Sequence, residues 1–135
     1  QLGKAQLIRD GSDVLFISSG FMTMRALDTA EALAADGVSC AVLHSPTIKP
    51  LDAETIVTEA QKGGRLVVTA ENHSITGGLG EAVAGALMRA GGHVSFRQIA
   101  LPDEFLDAGA LPTLHDQYGI SVERMTARVK AWLDG

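Results

Sequence analysis

The chain has 135 residues, 46% hydrophobic and 20% charged, with a net charge of −5 and an isoelectric point near 5.2. This is the size and composition of one globular domain, residues 1–135, that buries a core without staples, and it excludes a disordered chain. An acidic chain without a basic stripe speaks against nucleic acid or an anionic membrane as partner, and no apolar stretch nears the roughly 20 residues of a membrane helix.

The single cysteine, Cys40, lies in an apolar run. An internal disulfide and a thiolate metal cluster are therefore excluded, and the chain reads as cytoplasmic. Gln1–Arg9 lacks the long apolar core of a signal peptide. Gln1 is not a natural start residue, so the sequence reads as a piece of a longer chain.

Lys4–Arg9 predicts a short strand, and Asp10-Gly11-Ser12-Asp13 a turn. Val14–Ser18 is apolar at consecutive positions, as a strand buried on both faces should be. Ser19-Gly20 breaks it. Met22, Ala26, Leu27, Ala30, Leu33 and Ala34 then fall on one helix face, which Asp36-Gly37 ends. Cys40–Leu43 is the next buried strand, and Ser45–Pro50 a loop. Asp52 caps a helix that turns Ile56, Val57 and Ala60 inward before Gly63-Gly64. Arg65–Ala70 is a third apolar strand. Leu79, Ala82, Val83, Ala86, Leu87 and Ala90 mark a helix that Gly91-Gly92 closes.

His93–Ala100 alternates, as an edge strand does. Leu101–Leu111 reads as irregular, and Pro112–Tyr118 as a short helix before Gly119. Ser121 caps a last helix with Val122, Met125, Val129 and Leu133 inward. Strands and helices alternate, so the fold class is α/β, a mainly parallel sheet under helices on both faces.

Between the third strand and its helix lies Glu71-Asn72-His73-Ser74-Ile75-Thr76-Gly77-Gly78-Leu79-Gly80. Ligands of open parallel sheets bind at such strand-end loops, and a helix start favours an anion. The glycines admit two readings, a phosphate cradle or close packing of the helix on the sheet, and packing is favoured. They make no dinucleotide fingerprint, which needs a tighter turn and an acidic residue about twenty positions on. Glu71, His73 and Ser74 invite a catalytic reading, but a nucleophile needs a base within reach and a group to orient that base. Neighbours in one loop rarely present both, so local hydrogen bonds are the simpler role. His44 reads as a structural or interface histidine, and His93 and His115 as surface residues. The four histidines and one cysteine show no metal-ligand spacing.

Thr47-Ile48-Lys49-Pro50-Leu51-Asp52, the Glu71–Gly80 stretch, Pro102-Asp103-Glu104-Phe105 and Tyr118-Gly119-Ile120 occur in this order. Together they resemble the C-terminal domain of transketolase over essentially the whole chain. The likeness is strongest to the C-terminal part of transketolases split over two chains. Similar domains end the β-subunit of 2-oxo-acid dehydrogenase first components and deoxyxylulose-phosphate synthase. The resemblance implies a three-layer α/β/α fold on a five-stranded, mostly parallel sheet with one antiparallel edge strand. It implies a parent that moves two-carbon ketol units between sugar phosphates. Thiamine diphosphate and its divalent metal, magnesium or calcium, would be held by the parent's N-terminal and pyrimidine-binding domains, and the parent would be a homodimer.

This sequence has no Gly-Asp-Gly motif, and the resemblance carries no catalytic, cofactor-binding or metal-binding residue onto it. The domain would support assembly, border the active-site entrance and be silent by itself. From another class, the alternative is a non-catalytic module that binds small anions or serves assembly. The family's strand order would set the Ser18-Ser19-Gly20 turn beside Glu71–Gly80. That makes Ser19, Gly20, Glu71, His73, Ser74, Thr76, Gly77 and Gly78 a candidate anion or interdomain-contact site. Glu71 opposes an anion there unless its carboxylate turns away or bonds the amides itself.

Overall fold

A computed structural model describes residues 3–104 and 109–135. Five strands, β1 (Gln6–Arg9), β2 (Val14–Ser18), β3 (Cys40–His44), β4 (Leu66–Ser74) and β5 (Phe96–Leu101), form one sheet. The order is β1-β3-β2-β4-β5. β1 runs antiparallel to β3 and the other pairs are parallel. Five helices accompany them: α1 (Met22–Ala35), α2 (Ala53–Ala60), α3 (Leu79–Ala90), α4 (Leu111–Gln117) and α5 (Val122–Asp134).

The consecutive apolar residues of β2 supply two cores at once, because neighbours on a strand point to opposite faces. Val14 and Phe16 join Cys40, Val42 and Val68 beneath Met22, Ala26 and Leu33 of α1 and Met125 and Val129 of α5. Leu15 and Ile17 join Ala41, Leu43 and Val67 beneath Ile56 of α2 and Leu79, Val83 and Leu87 of α3. The sheet is thus the middle of three layers, and Val14–Ser18 is wholly buried.

Several boundaries differ from the sequence reading. β1 begins at Gln6 and β5 at Phe96. α4 runs Leu111–Gln117. Ala34, Ala90 and Leu133 are exposed, whereas Thr23 and Thr29 are buried. Thr29 is tolerated inside because its hydroxyl donates to Arg25 O. On α5, Trp132 packs on the core where Leu133 was expected. The caps agree: Asp52 accepts from Thr55 N and Ser121 from Arg124 N. Of the stretch expected to be irregular, and of the Pro-Asp-Glu-Phe motif, residues 105–108 lie outside the described part.

The consequential difference is at β4. It continues through Glu71, Asn72 and His73 to Ser74, four residues the sequence reading placed in a loop. The pairing with β5 is irregular between Ala70 and Ser74, and Ile75 N still donates to Leu101 O at 2.7 Å. Burial of Glu71 and a local bulge hold polar residues in a strand that propensity alone would have ended.

Candidate functional site

β2 turns into α1 on one face of the sheet, and β4 into α3 on the other. The carboxyl ends of these two neighbours form the switch point of the sheet, where open α/β folds place ligands. Ser18 pairs with Ala70, so Ser19 and Glu71 leave that level side by side. Ser19 is half-buried, and Gly20 adopts φ +56, a conformation that favours glycine.

Glu71 is 1% exposed. Its Oε1 accepts from Leu79 N at 2.8 Å and its Oε2 from Gly80 N at 2.7 Å. The carboxylate thus satisfies two orphan amides of the first turn of α3 and sets a negative charge on the positive end of the helix. The glycines follow from this clasp. A Cβ on Gly78 would lie 2.0 Å from Glu71 Oε1 and 2.9 Å from His73 Nδ1. A Cβ on Gly80 would meet Gln98 Oε1 at 2.2 Å. Gly77 has φ +77. Close approach and backbone conformation therefore account for the glycine run.

The other predicted residues are brought together without forming a reactive group. His73 is exposed, and its Nδ1 donates to Ser74 O at 2.9 Å. Ser74 Oγ donates to Asp103 Oδ1 and accepts from Thr76 N, each at 3.2 Å. Ser74 accordingly holds the turn: its hydroxyl meets the Asp103 carboxylate, and no third group among the described residues is seen to orient that base. No three His, Cys, Asp or Glu side chains among the described residues cluster as metal ligands would.

Sequence reasoning missed a second polar chain beside the clasp. Buried Ser18 Oγ is 2.8 Å from Thr23 Oγ1, which is 2.8 Å from His44 Nδ1. It ties the ends of β2 and β3 to the first turn of α1. The available signal was that Ser18 and His44 each close an apolar strand. His115, expected at the surface, is buried. Its Nδ1 lies 3.0 Å from Arg25 Nη1, and its ring stacks on Phe21 at 5.7 Å. Burial first, and the Arg25 charge second, push its pKa below the ordinary 6.5. Around this polar centre Phe21, Met24, Ile75 and Leu111 remain exposed, at 48%, 64%, 39% and 67%. Large apolar side chains grouped at one edge mark a contact surface more often than a reaction centre.

Fold and site define a doubly wound α/β domain whose switch point is closed from inside by its own carboxylate. The family model for the transketolase C-terminal domain matches residues 3–125. A putative uncharacterised transketolase family protein of Sinorhizobium fredii is 62% identical over 99% of this chain and 39% of its own length. A 1-deoxy-D-xylulose-5-phosphate synthase of Heliobacterium modesticaldum is 38% identical over 95% of this chain and 20% of its own. Among solved structures, a split gene transketolase, described as an inactive β4 tetramer, superposes with a TM-score of 0.88 at 33% identity. That superposition covers 97% of this chain and 42% of the other. A transketolase from Pichia stipitis shares the fold, with a TM-score of 0.71 at 15% identity.

The chain belongs to the transketolase C-terminal domain family, as its motifs indicated, and spans about two-fifths or less of these relatives.

Proposed function

We propose that this chain is the C-terminal domain of a transketolase-type enzyme that transfers two-carbon ketol units between sugar phosphates. In this reading the preceding N-terminal and pyrimidine-binding domains hold thiamine diphosphate and its divalent metal, magnesium or calcium. The parent works as a homodimer. The present domain supports assembly and borders the active-site entrance, and it turns nothing over alone. The observation that carries this is the Glu71 clasp. A diphosphate requires open amide donors and oxygen ligands for its metal. Here two amides of the α3 start are taken by Glu71, whose charge repels a phosphate, so the Glu71–Gly80 stretch does not fit the cofactor.

The contact role has separate support. Exposed Phe21 follows the end of β2 and exposed Ile75 the end of β4, and the split-gene relative was seen as an assembly of four β subunits that is inactive. Of the two roles considered for Ser19, Gly20, Glu71, His73, Ser74, Thr76, Gly77 and Gly78, interdomain contact therefore fits better than anion binding. A second reading, the same domain in a deoxyxylulose-phosphate synthase, is favoured by 38% identity across 95% of the chain.

Calorimetric titration of the chain with thiamine diphosphate and magnesium tests the proposal. No binding is expected, and micromolar affinity would overturn it. Joining the chain to the domains that precede it should yield ketol transfer between sugar phosphates. Formation of deoxyxylulose phosphate instead would establish the second reading.

A further inference from the structure

Arg25 of α1 reaches across to the α4–α5 corner. Its Nη1 donates to Ile120 O at 2.9 Å and stands 3.0 Å from His115 Nδ1. Its guanidinium also lies 5.3 Å from the centre of the Phe21 ring, on which His115 stacks. Arginine has five donors, no acceptor, and is always charged in proteins. The Arg25–His115 contact is therefore a hydrogen bond only if Nδ1 carries a lone pair. That fixes His115 as the neutral tautomer with its proton on Nε2.

We propose that Arg25 and His115 form a proton-sensitive latch that holds α4 against α1 only while the imidazole is neutral. Protonation would place N–H against N–H and two like charges 3.0 Å apart in a buried setting. Among the described residues, the neighbouring elements bring no compensating charge. Asp116 of α4 accepts from Ser121 and pairs with Arg124. Glu71 of β4 is bound to the amides of α3. Asp28 of α1 is exposed. The cavity beside the ring, about 100 Å³, is lined by Asn72, Leu101, Leu111, Leu114 and Tyr118 as well as His115. Releasing α4 would open this cavity beside the strand that carries Glu71.

The sign follows from the two states. Well above pH 6.5 the ring is neutral whether α4 is docked or free, and the latch is at full strength. Below 6.5 the free state takes up the proton first, because docking holds the pKa down, so docking weakens as pH falls. The opening constant of α4 then rises up to about tenfold between pH 7.5 and 5.5.

Hydrogen exchange of the Leu114 and Tyr118 amides, corrected for intrinsic rates and referred to the β2 amides, reads this directly. Protection should fall by up to about tenfold at pH 5.5. H115N, which presents an acceptor oxygen and cannot be protonated, should show no such fall. R25M should show at pH 7.5 the low α4 protection that the unaltered chain reaches only at 5.5. Nitrogen spectra of the imidazole in the unaltered chain should find Nδ1 unprotonated at pH 7.5, and this arm does not depend on a variant folding. Unchanged protection at both pH values, a pH response retained in H115N, or a protonated Nδ1 at neutral pH would each overturn the latch.

Discussion

A carboxylate withdrawn from water is costly unless hydrogen bonds replace its hydration. Glu71 has two amide donors at 2.7–2.8 Å and a helix start to face, and charge-assisted bonds of this kind contribute about 1.5–3 kcal/mol each. Glu71→Gln should therefore destabilise the domain by about 3 kcal/mol, because the new amide nitrogen turns a donor toward a donor. Thermal unfolding should record a midpoint lower by roughly 10 °C. Gly78→Ala should cost about 1–3 kcal/mol, since its Cβ would have to displace the same carboxylate. If either variant melts like the parent sequence, the clasp is not a stabilising element. The sequence favoured close packing for the glycines and left Glu71 either turned away or bonded to the amides; which amides it takes was not legible. The glycines were visible as a run, but the reason for Gly78 is an oxygen atom seven residues upstream brought under it by the fold, and that for Gly80 is the Gln98 side chain.

At the scale of elements, the apolar strands and the helix caps were legible because their signals are local: consecutive β-branched and aliphatic residues, and an Asp or Ser three residues before an amide it can accept from. Ends set by tertiary contact were not. β4 outran its apolar run because Glu71 finds its partners on α3. His115 was misplaced because its burial depends on Arg25, ninety residues away. Asp52 joins both kinds of information. It caps α2 through Thr55 N, and it accepts from Ala5 N at 2.8 Å, with Lys4 Nζ at 3.7 Å. Burial alone would raise its pKa, but the Ala5 amide, the Thr55 hydroxyl and amide, and the Lys4 ammonium together hold it below the ordinary carboxylate value. Its stabilisation is therefore present above pH 4 and is lost as pH falls through the lowered folded value. Asp52→Ala should cost about 1–2 kcal/mol at neutral pH, and the deficit should narrow in acid denaturation. A deficit that stays constant down to pH 2 would exclude the charged tie to β1.

On the scale of the whole molecule, the exposed Phe21, Met24 and Leu111 predict self-association of the chain through the edge that carries the strand ends. Sedimentation should find a dimer at high concentration, and Met24→Glu should return it to monomer. A strict monomer would exclude this edge as a self-association surface of the chain. The sheet order has a further consequence, for the route by which the chain reaches its fold. β1, β2 and β3 all lie within residues 6–44, so three strands and α1 can assemble as soon as that length leaves the ribosome. The other edge of β2 must then wait for β4, since Val14 pairs with Leu66, more than fifty residues later. Until then the most apolar strand of the molecule presents an open edge, the template for pairing with the wrong chain. The interval between the synthesis of His44 and that of Ala70 is therefore when a nascent copy is most prone to misassembly, and when a chaperone would matter most.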